Sequence, residues 1–191
     1  KFSFLEKSED ALPLIRPILS GHKMIHWEEV IFEMLFNVLN IPLKSGEESF
    51  CLADVGVGNM FKEMEFLFSS SVHKFEGEGF NCSGGYVKGF IDLLFMHGGK
   101  YYILDWKSNY LGPTIESYGQ DSLGQAMEEH QYFLQAKIYS SALRRYLKLV
   151  EARPFDECFG GVFYLFLRGI NIKKGPLFGV YHSPSLVRQK V

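Results

Sequence analysis

Two apolar, β-prone segments separated by a pair of glycines constrain the fold of this chain more than any other feature of its sequence. They run over residues 86–96 and 101–106, and the short link between them contains Gly98-Gly99. Both central residues of a tight hairpin turn need positive φ angles, which glycine adopts without strain. The sequence therefore predicts an antiparallel β-hairpin that turns at these two glycines.

The register of this hairpin brings two aspartates together. With Gly98 and Gly99 as the turn, Asp92 lies opposite Asp105, and such opposed residues have Cβ atoms about 4.5–5.5 Å apart. Lys107 points to the same face. Two like charges on an apolar hairpin repel each other, and burial raises the pKa of one of them unless a cation intervenes. A divalent cation with oxygen ligands, such as Mg²⁺, resolves this conflict.

The same spacing also fits a charged edge strand, in which Asp92 and Asp105 face solvent and Lys107 is an ordinary ion-pair partner. The apolar neighbours on both strands favour an interior sheet covered by helices on each face. At a metal site, Lys107 would orient an attacking water or stabilise charge that develops on a phosphate. Spacing alone does not name the reaction.

Other segments predict the elements around the hairpin. We expect a helix over residues 26–39 that ends near Asn40, a strand from Met60 to Phe68, a variable connection over 69–85, one long amphipathic helix over 121–150, and strands over 160–167 and 179–181. The predicted order is a helix, three strands, a helix and then further strands.

Composition narrows the class of protein. The chain has 191 residues, of which 47% are hydrophobic, and this predicts a single domain over residues 1–191. It has neither a bilayer-spanning stretch nor a signal-peptide profile, so we expect a soluble, cytoplasmic protein without membrane contact. The net charge of −2 means that any nucleic-acid binding must be local. Three scattered cysteines indicate neither a disulfide framework nor a thiolate metal site.

The motifs around the hairpin resemble those of the PD-(D/E)xK nuclease superfamily. Ile91-Asp92 stands in place of Pro-Asp, and Asp105-Trp106-Lys107 forms the D-x-K triplet. Within that superfamily, the chain is similar to the C-terminal nuclease domain of the RecB family, the beta subunits of exodeoxyribonuclease V. The similarity runs from about residue 61 to residue 181 and includes segments 88–95, 101–109 and 160–169. These motifs are specific in combination, whereas a lone D-x-K triplet is not.

The resemblance implies an α/β fold of the restriction-endonuclease-like type, with a mixed central β-sheet flanked by helices. It implies that Asp92 and Asp105 bind Mg²⁺, that Lys107 is catalytic, that the carbonyl of Trp106 is a metal ligand, and that Glu63 lies near the metal. A strand glutamate facing solvent is the alternative for Glu63.

A second motif, Q-x-x-x-Y, matches Gln135 and Tyr139 on the helix after the hairpin. Their spacing puts both side chains on one helix face, where they would bind nucleic acid or brace the site. The alternative is that Tyr139 is a core aromatic and Gln135 a boundary residue.

One expected residue is missing. The family's nuclease domain carries a metal-binding histidine on a helix near its start, and residues 1–6 contain none. His22 and His26 lie nearer the middle of the first helical region, where a lone histidine is more often a surface or packing residue. The ligand therefore lies upstream of this sequence or has been replaced. Three cysteines also exclude the four-cysteine iron–sulfur branch of the superfamily.

The resemblance implies a Mg²⁺-dependent DNA exonuclease and endonuclease domain that acts in double-strand break repair by homologous recombination. The chain would be a fragment of an ATP-driven helicase-nuclease subunit with RecC- and RecD-like partners, and a RecA-like recombinase is a further candidate partner. The sequence contains no P-loop, so helicase activity would lie elsewhere. The alternative is a catalytically weak nuclease fold that serves as a binding platform for a recombinase or partner subunits.

Cationic and aromatic side chains are candidate DNA contacts. The cations are Arg144, Arg145, Lys148, Arg168, Lys173 and Lys174, and the aromatic residues are Tyr110 and Tyr118. The cations would bind phosphates, or would simply favour a helix dipole or solvent. The aromatic rings would stack on unpaired bases, or would cover the core.

Overall fold

Helices and strands come in separate groups along the chain, which a computed structural model describes over residues 12–69 and 85–184. The helices are α1 (Leu12–Gly21), α2 (Glu28–Asn40), α3 (Gln120–Glu129), α4 (Tyr132–Val150) and the short α5 (Phe155–Cys158). The strands are β1 (Leu43–Ser45), β2 (Glu48–Phe50), β3 (Met60–Ser69), β4 (Tyr86–His97), β5 (Lys100–Lys107), β6 (Phe159–Phe166) and β7 (Val180–Ser183). The predictions of a helix ending at Asn40, of the hairpin and of the strands from residues 60, 160 and 179 onwards are confirmed.

A mixed β-sheet lies at the centre of the fold. Its strand order is β3-β4-β5-β6-β7, and neighbouring strands are antiparallel except for β5 and β6, which are parallel. The chain between β5 and β6 runs through α3 and α4, because parallel neighbours need a long crossover connection. This arrangement confirms the expected α/β, restriction-endonuclease-like fold with a mixed sheet flanked by helices.

Both faces of the sheet are covered. Helices α3 and α4 pack on one face, over residues such as Ile103 and Tyr164. Helix α2 and the β1–β2 hairpin cover the other face, over residues such as Tyr102 and Phe163. Both faces of β4 and β5 are therefore apolar because other elements cover the sheet on each side, as the sequence predicted. None of the helices in the described ranges is long and apolar enough to cross a membrane.

The glycine turn forms as predicted. Gly98 and Gly99 have φ angles of 55° and 75°, as a two-residue turn between twisted antiparallel strands requires. The register pairs His97 with Lys100 and continues to Leu93 opposite Leu104. The cross-strand alignment deduced from the turn is therefore confirmed over this stretch.

The prediction of one continuous helix over residues 121–150 is wrong. The chain forms α3 and α4, separated at Gln131, whose φ of 56° lies in the left-handed region. No glycine or proline marks this break in the sequence. Tyr164 on β6 donates a hydrogen bond to the Tyr132 carbonyl at 2.9 Å, and the two rings stack 5.8 Å apart. Packing against the sheet therefore sets the start of α4.

Helix α1, the β1–β2 hairpin and the short helix α5 were not predicted. Helix α1 packs through Ile15 and Leu19 against α2. The β1–β2 hairpin turns at Gly46, which has a φ of 63°. The strands of this hairpin are only three residues long, too short for a two-residue period to be recognised. The predicted connection over residues 69–85 lies outside the described residues except at its two ends.

Gly160 tests how tightly the sheet packs. A Cβ at this position would overlap the ring of Tyr102, which is fully buried and stacks on Phe95 at 5.3 Å. We expect Gly160→Ala to lower the free energy of unfolding by about 1–3 kcal/mol, because the ring has no free space to enter. Urea denaturation measures this change.

Gly124→Ala is the matched control for this substitution. A Cβ at Gly124, in the interior of α3, meets no atom within 4 Å. The substitution should raise the free energy of unfolding by about 0.5–1 kcal/mol, because alanine is the better helix former. Equal unfolding midpoints for the two variants would contradict the packing argument.

Candidate active site

The site begins where β4 and β5 part. The paired register ends at Leu93 and Leu104, one position before Asp92 and Asp105 would face each other. Instead, Asp92 Oδ2 accepts a hydrogen bond from the backbone N–H of Trp106 at 3.0 Å. The Asp92 carboxylate thus takes the place of the backbone carbonyl that would accept this hydrogen bond in a continuous ladder. Since the N–H and C=O of one strand residue point to the same edge, the Trp106 carbonyl faces the same gap.

Strand β4 and its other neighbour, β3, both change facing at the level of this gap. Alternate residues of a regular strand share a face, yet Ile91 packs on the α4 side of the sheet and Leu93 on the α2 side. In β3 the change falls at Glu63, whose φ of 49° is rare for a residue other than glycine. The irregularity of β3 therefore lies directly across from Asp92, between the pairs that flank both residues.

Glu63 and Asp92 border one cavity. It has a volume of about 680 Å³ and lies between α2 and the sheet, with Trp106 on its wall. Glu63 is exposed, as the solvent-facing alternative predicted. Whether it binds a metal stays a prediction.

Asp105 and Lys107 belong to a closed ring of four side chains. Lys107 Nζ lies 2.6 Å from Asp105 Oδ2 and donates to Gln135 Oε1 at 2.9 Å. Gln135 Nε2 donates to the Tyr139 hydroxyl at 2.9 Å, and that hydroxyl donates to Asp105 Oδ1 at 3.3 Å. Asp105 and Lys107 are 3% and 7% exposed. The alternative of a solvated edge strand is therefore wrong for this pair.

The ring accounts for the predicted Q-x-x-x-Y motif in structural terms. Gln135 and Tyr139 lie on the face of α4 that covers Asp105, and their polar groups bind the site's own side chains. Of the two roles expected for these residues, this geometry corresponds to the one in which they brace the site. Contact of either residue with DNA stays a prediction.

The charges of the site are unbalanced. Burial, and next the charge of Asp92, raise the pKa of Asp105, while Lys107 lowers it. Burial and the nearby aspartates also raise the pKa of Tyr139, so this hydroxyl stays protonated and can donate. Two carboxylates with one ammonium group leave room, electrostatically, for a further cation.

The protein groups fit a cation that keeps much of its own hydration. In residues 12–69 and 85–184, no group of three or more His, Cys, Asp or Glu side chains could hold a metal ion. Glu63, Asp92 and Asp105 therefore do not form an all-protein cage. Mg²⁺ commonly binds through one or two carboxylates and completes its shell with waters and substrate phosphates. Asp92, Asp105 and the Trp106 carbonyl match that pattern.

Neither histidine lines the cavity, and the candidate DNA contacts differ in their exposure and partners. His22 and His26 are exposed and do not line the cavity. Arg168 donates to the Ser108 carbonyl at 3.1 Å, directly after Lys107. Tyr118 is 2% exposed, so the prediction that it stacks on bases is wrong, whereas the alternative that it covers the core is right.

The remaining candidates contact other side chains or are exposed. Arg144 pairs with Asp156 at 3.2 Å, and Arg145 lies over the ring of Phe68. Lys148, Lys173 and Lys174 are exposed, and Tyr110 is 67% exposed. Their contacts with DNA stay predictions.

One contact of the site was not predicted. The ring of Tyr132 lies 3.6 Å from Lys107 Nζ, measured to the ring centroid. Tyr132 precedes Gln135 by three residues and Tyr139 by seven, so the three share one helix face. That spacing was the available signal, since it gives one common face whether or not the helix continues through residue 131.

Removal of the Tyr139 hydroxyl tests the closed ring of four hydrogen-bonded side chains. Tyr139→Phe deletes the donor to Asp105 and the acceptor of Gln135, and should lower the free energy of unfolding by about 0.5–2 kcal/mol. Tyr146→Phe, on the exposed side of the same helix, should stay within about 0.5 kcal/mol. Urea denaturation of both variants at pH 7 measures the difference.

The loss of stability in Tyr139→Phe should depend on pH. The folded-state pKa of Asp105 is raised, so its contribution to stability is complete below its unfolded pKa and is lost as pH rises through the folded pKa. The Tyr139 hydroxyl lowers that pKa, so its removal enlarges the loss. The destabilisation by Tyr139→Phe should therefore be greater at pH 7 than at pH 3. Equal values at both pH values would count against the hydrogen bond to Asp105.

Known proteins resemble this chain over most of its length. No model of a protein family matches it. It is 37% identical over 174 residues to "RecBCD enzyme subunit RecB" of Escherichia coli (strain K12), which covers 81% of this chain and 14% of that subunit. It is 38% identical over 173 residues to the Haemophilus influenzae subunit of the same name, with the same two coverages. The Chlamydia pneumoniae subunit is 29% identical over 186 residues, or 97% of the chain.

The chain thus spans about one-seventh of the length of the first two curated relatives, which is the size of one domain within a much longer subunit. The matches agree with the resemblance in the motifs on the hairpin and with the mixed sheet that carries them. The chain belongs to the RecB family.

Proposed function

We propose that this chain is the metal-dependent nuclease domain of a RecBCD-type helicase-nuclease subunit and hydrolyses phosphodiester bonds of DNA in recombinational repair. One observation carries the proposal: a buried Asp105–Lys107 pair, 2.6 Å apart, lies beside Asp92 where β4 and β5 part. Membership of the RecB family supports it. We further propose that residues 1–191 are one domain of that subunit, with DNA, RecC- and RecD-like subunits and a RecA-like recombinase as its partners.

Lys107 is the group that would meet the substrate's charge. An ammonium group has three N–H donors, and Asp105 and Gln135 accept two of them. The third N–H has no nitrogen or oxygen acceptor among the described residues, and the charge of the ammonium group, which also lies against the Tyr132 ring, would attract an oxygen of the phosphate or of an attacking water. A cation held rigidly in a site with little water stabilises charge that develops during attack far better than a solvated one does.

Asp92, Asp105 and the Trp106 carbonyl would hold Mg²⁺. When bound, the cation supplies a polarised phosphate oxygen and a water that is acidic enough to act as a nucleophile near neutral pH. The residues around these ligands fix their orientation. The Trp106 N–H holds Asp92, and the Tyr139 hydroxyl holds Asp105. Glu63 borders the same cavity as Asp92 and could reach the cation through a water.

Cleavage of linear DNA by the full-length protein, with its partner subunits present, is the main test. We expect cleavage that needs Mg²⁺ and stops with EDTA, and that Asp105→Asn slows at least about 100-fold because a ligand is lost. Asp121→Asn, an exposed aspartate at the start of α3, should cleave at the wild-type rate. A wild-type protein that binds its partners but does not cleave would contradict the proposal and favour the platform alternative.

Metal binding can be measured without any substrate. Mg²⁺ at 100 times its dissociation constant should stabilise the wild-type protein by about 2.7 kcal/mol, because only the folded state brings the two carboxylates together. Thermal unfolding followed across a Mg²⁺ titration measures this shift. The shift should disappear in Asp105→Asn and persist in Asp121→Asn. An equal shift in both variants would place the binding of Mg²⁺ elsewhere.

A further inference from the structure

The ammonium group of Lys107 has an aromatic neighbour in addition to its two hydrogen-bond acceptors. Nζ lies 3.6 Å from the centroid of the Tyr132 ring, well within the roughly 6 Å over which a cation is attracted to an aromatic face. Lys107 is 7% exposed, so little water screens this attraction. The contact is therefore of the strong, desolvated kind.

The Tyr132 ring is itself held at several points. Its hydroxyl donates to Asn109 Oδ1 at 3.0 Å, and its ring stacks on Tyr164 with an interplanar angle of 16°. The Tyr164 hydroxyl donates to the Tyr132 backbone carbonyl at 2.9 Å. Ring, hydroxyl and backbone are all fixed, so Tyr132 presents an immobile surface to a long and flexible lysine side chain.

The Tyr132 contact differs in kind from the contacts of Lys107 with Asp105 and Gln135, and it is closer than the contact with the Tyr164 ring, whose centroid lies 5.2 Å from Nζ. Asp105 is also a proposed metal ligand, so its oxygens would be shared between the cation and Lys107. The aromatic face has no lone pair for a metal and is uncharged, so it holds the ammonium group without neutralising it. The charge of Lys107 then remains available to a phosphate.

We propose that Tyr132 is a positioning residue that holds the Lys107 ammonium group in place for phosphodiester hydrolysis. This inference rests on the function proposed above for the same site. It also gives a role to the break at Gln131, because that break makes Tyr132 the first residue of α4, beneath which Lys107 lies.

Three variants of the full-length protein separate the ring from the hydroxyl. Tyr132→Phe keeps the aromatic face and loses the bond to Asn109, whereas Tyr132→Leu loses the face and keeps an apolar side chain. Phe133→Leu is the matched control, since Phe133 is the next residue on the helix and packs on Tyr181 instead. We expect kcat for Mg²⁺-dependent DNA cleavage to fall roughly tenfold in Tyr132→Leu, with KM within about twofold. Tyr132→Phe and Phe133→Leu should stay within about threefold of wild type.

Other patterns of activity would overturn the proposal. A Tyr132→Leu variant as active as Phe133→Leu would show that the ring does not position Lys107. A Tyr132→Phe variant as impaired as Tyr132→Leu would assign the role to the hydroxyl and Asn109. A change confined to KM would mean that Tyr132 acts in binding and not in positioning.

A second measurement needs neither activity nor a folded leucine variant. Protons above an aromatic face are shielded, so NMR of protein labelled at the lysine ε-carbons should show one strongly upfield ε-methylene signal. Lys107→Arg identifies that signal by its disappearance, and it should persist in Tyr132→Phe. Absence of the signal from the wild-type protein would overturn the proposal even if the protein cleaves DNA. Its presence in a protein that does not cleave would leave the contact intact and refute the proposed function instead.

Discussion

The burial of one ion pair dictates how the rest of this site is built. Asp105 and Lys107 lie on a strand whose neighbours are apolar, and removing two charges from water costs several kcal/mol per ion unless partners replace the lost hydration. Gln135 and Tyr139 supply hydrogen bonds, and Tyr132 supplies an aromatic face. All three come from α4, so the orientation of this helix on the sheet and the chemistry of the strand depend on each other.

The architecture of the site also depends on the separation of β4 and β5. A sheet that continued its ladder past Leu93 would direct the Trp106 N–H to a backbone carbonyl and would close the space beside Asp105. The Asp92 carboxylate takes that N–H instead. The irregularity at Glu63 in β3 lies at the same level. The sheet therefore opens at one level through irregularities in two neighbouring strands, β3 and β4, and Glu63 and Asp92 lie at that level.

Much of the fold and part of the site could be predicted from local sequence. The two glycines determine the turn, the turn determines the register, and the register brings Asp92 near Asp105, because each step involves neighbouring residues on one hairpin. The four-residue spacing of Gln135 and Tyr139 similarly gave their common face. The break at Gln131 could not be predicted, since no residue there disfavours a helix strongly and Tyr164, over 30 positions away, sets where α4 begins.

The sequence by itself determined the hairpin, the membership of the two aspartates and the lysine in one motif, and the apolar pattern that buries the sheet on both faces. These features depend on backbone geometry and on the period of a strand, which act over a few residues. Only the tertiary structure decided that Asp92 binds a backbone N–H in place of facing Asp105 squarely, and that Lys107 lies against Tyr132. The first contact depends on where the ladder between β4 and β5 is interrupted, and the second joins a strand to a helix later in the chain, so its geometry follows from how α4 packs on the sheet.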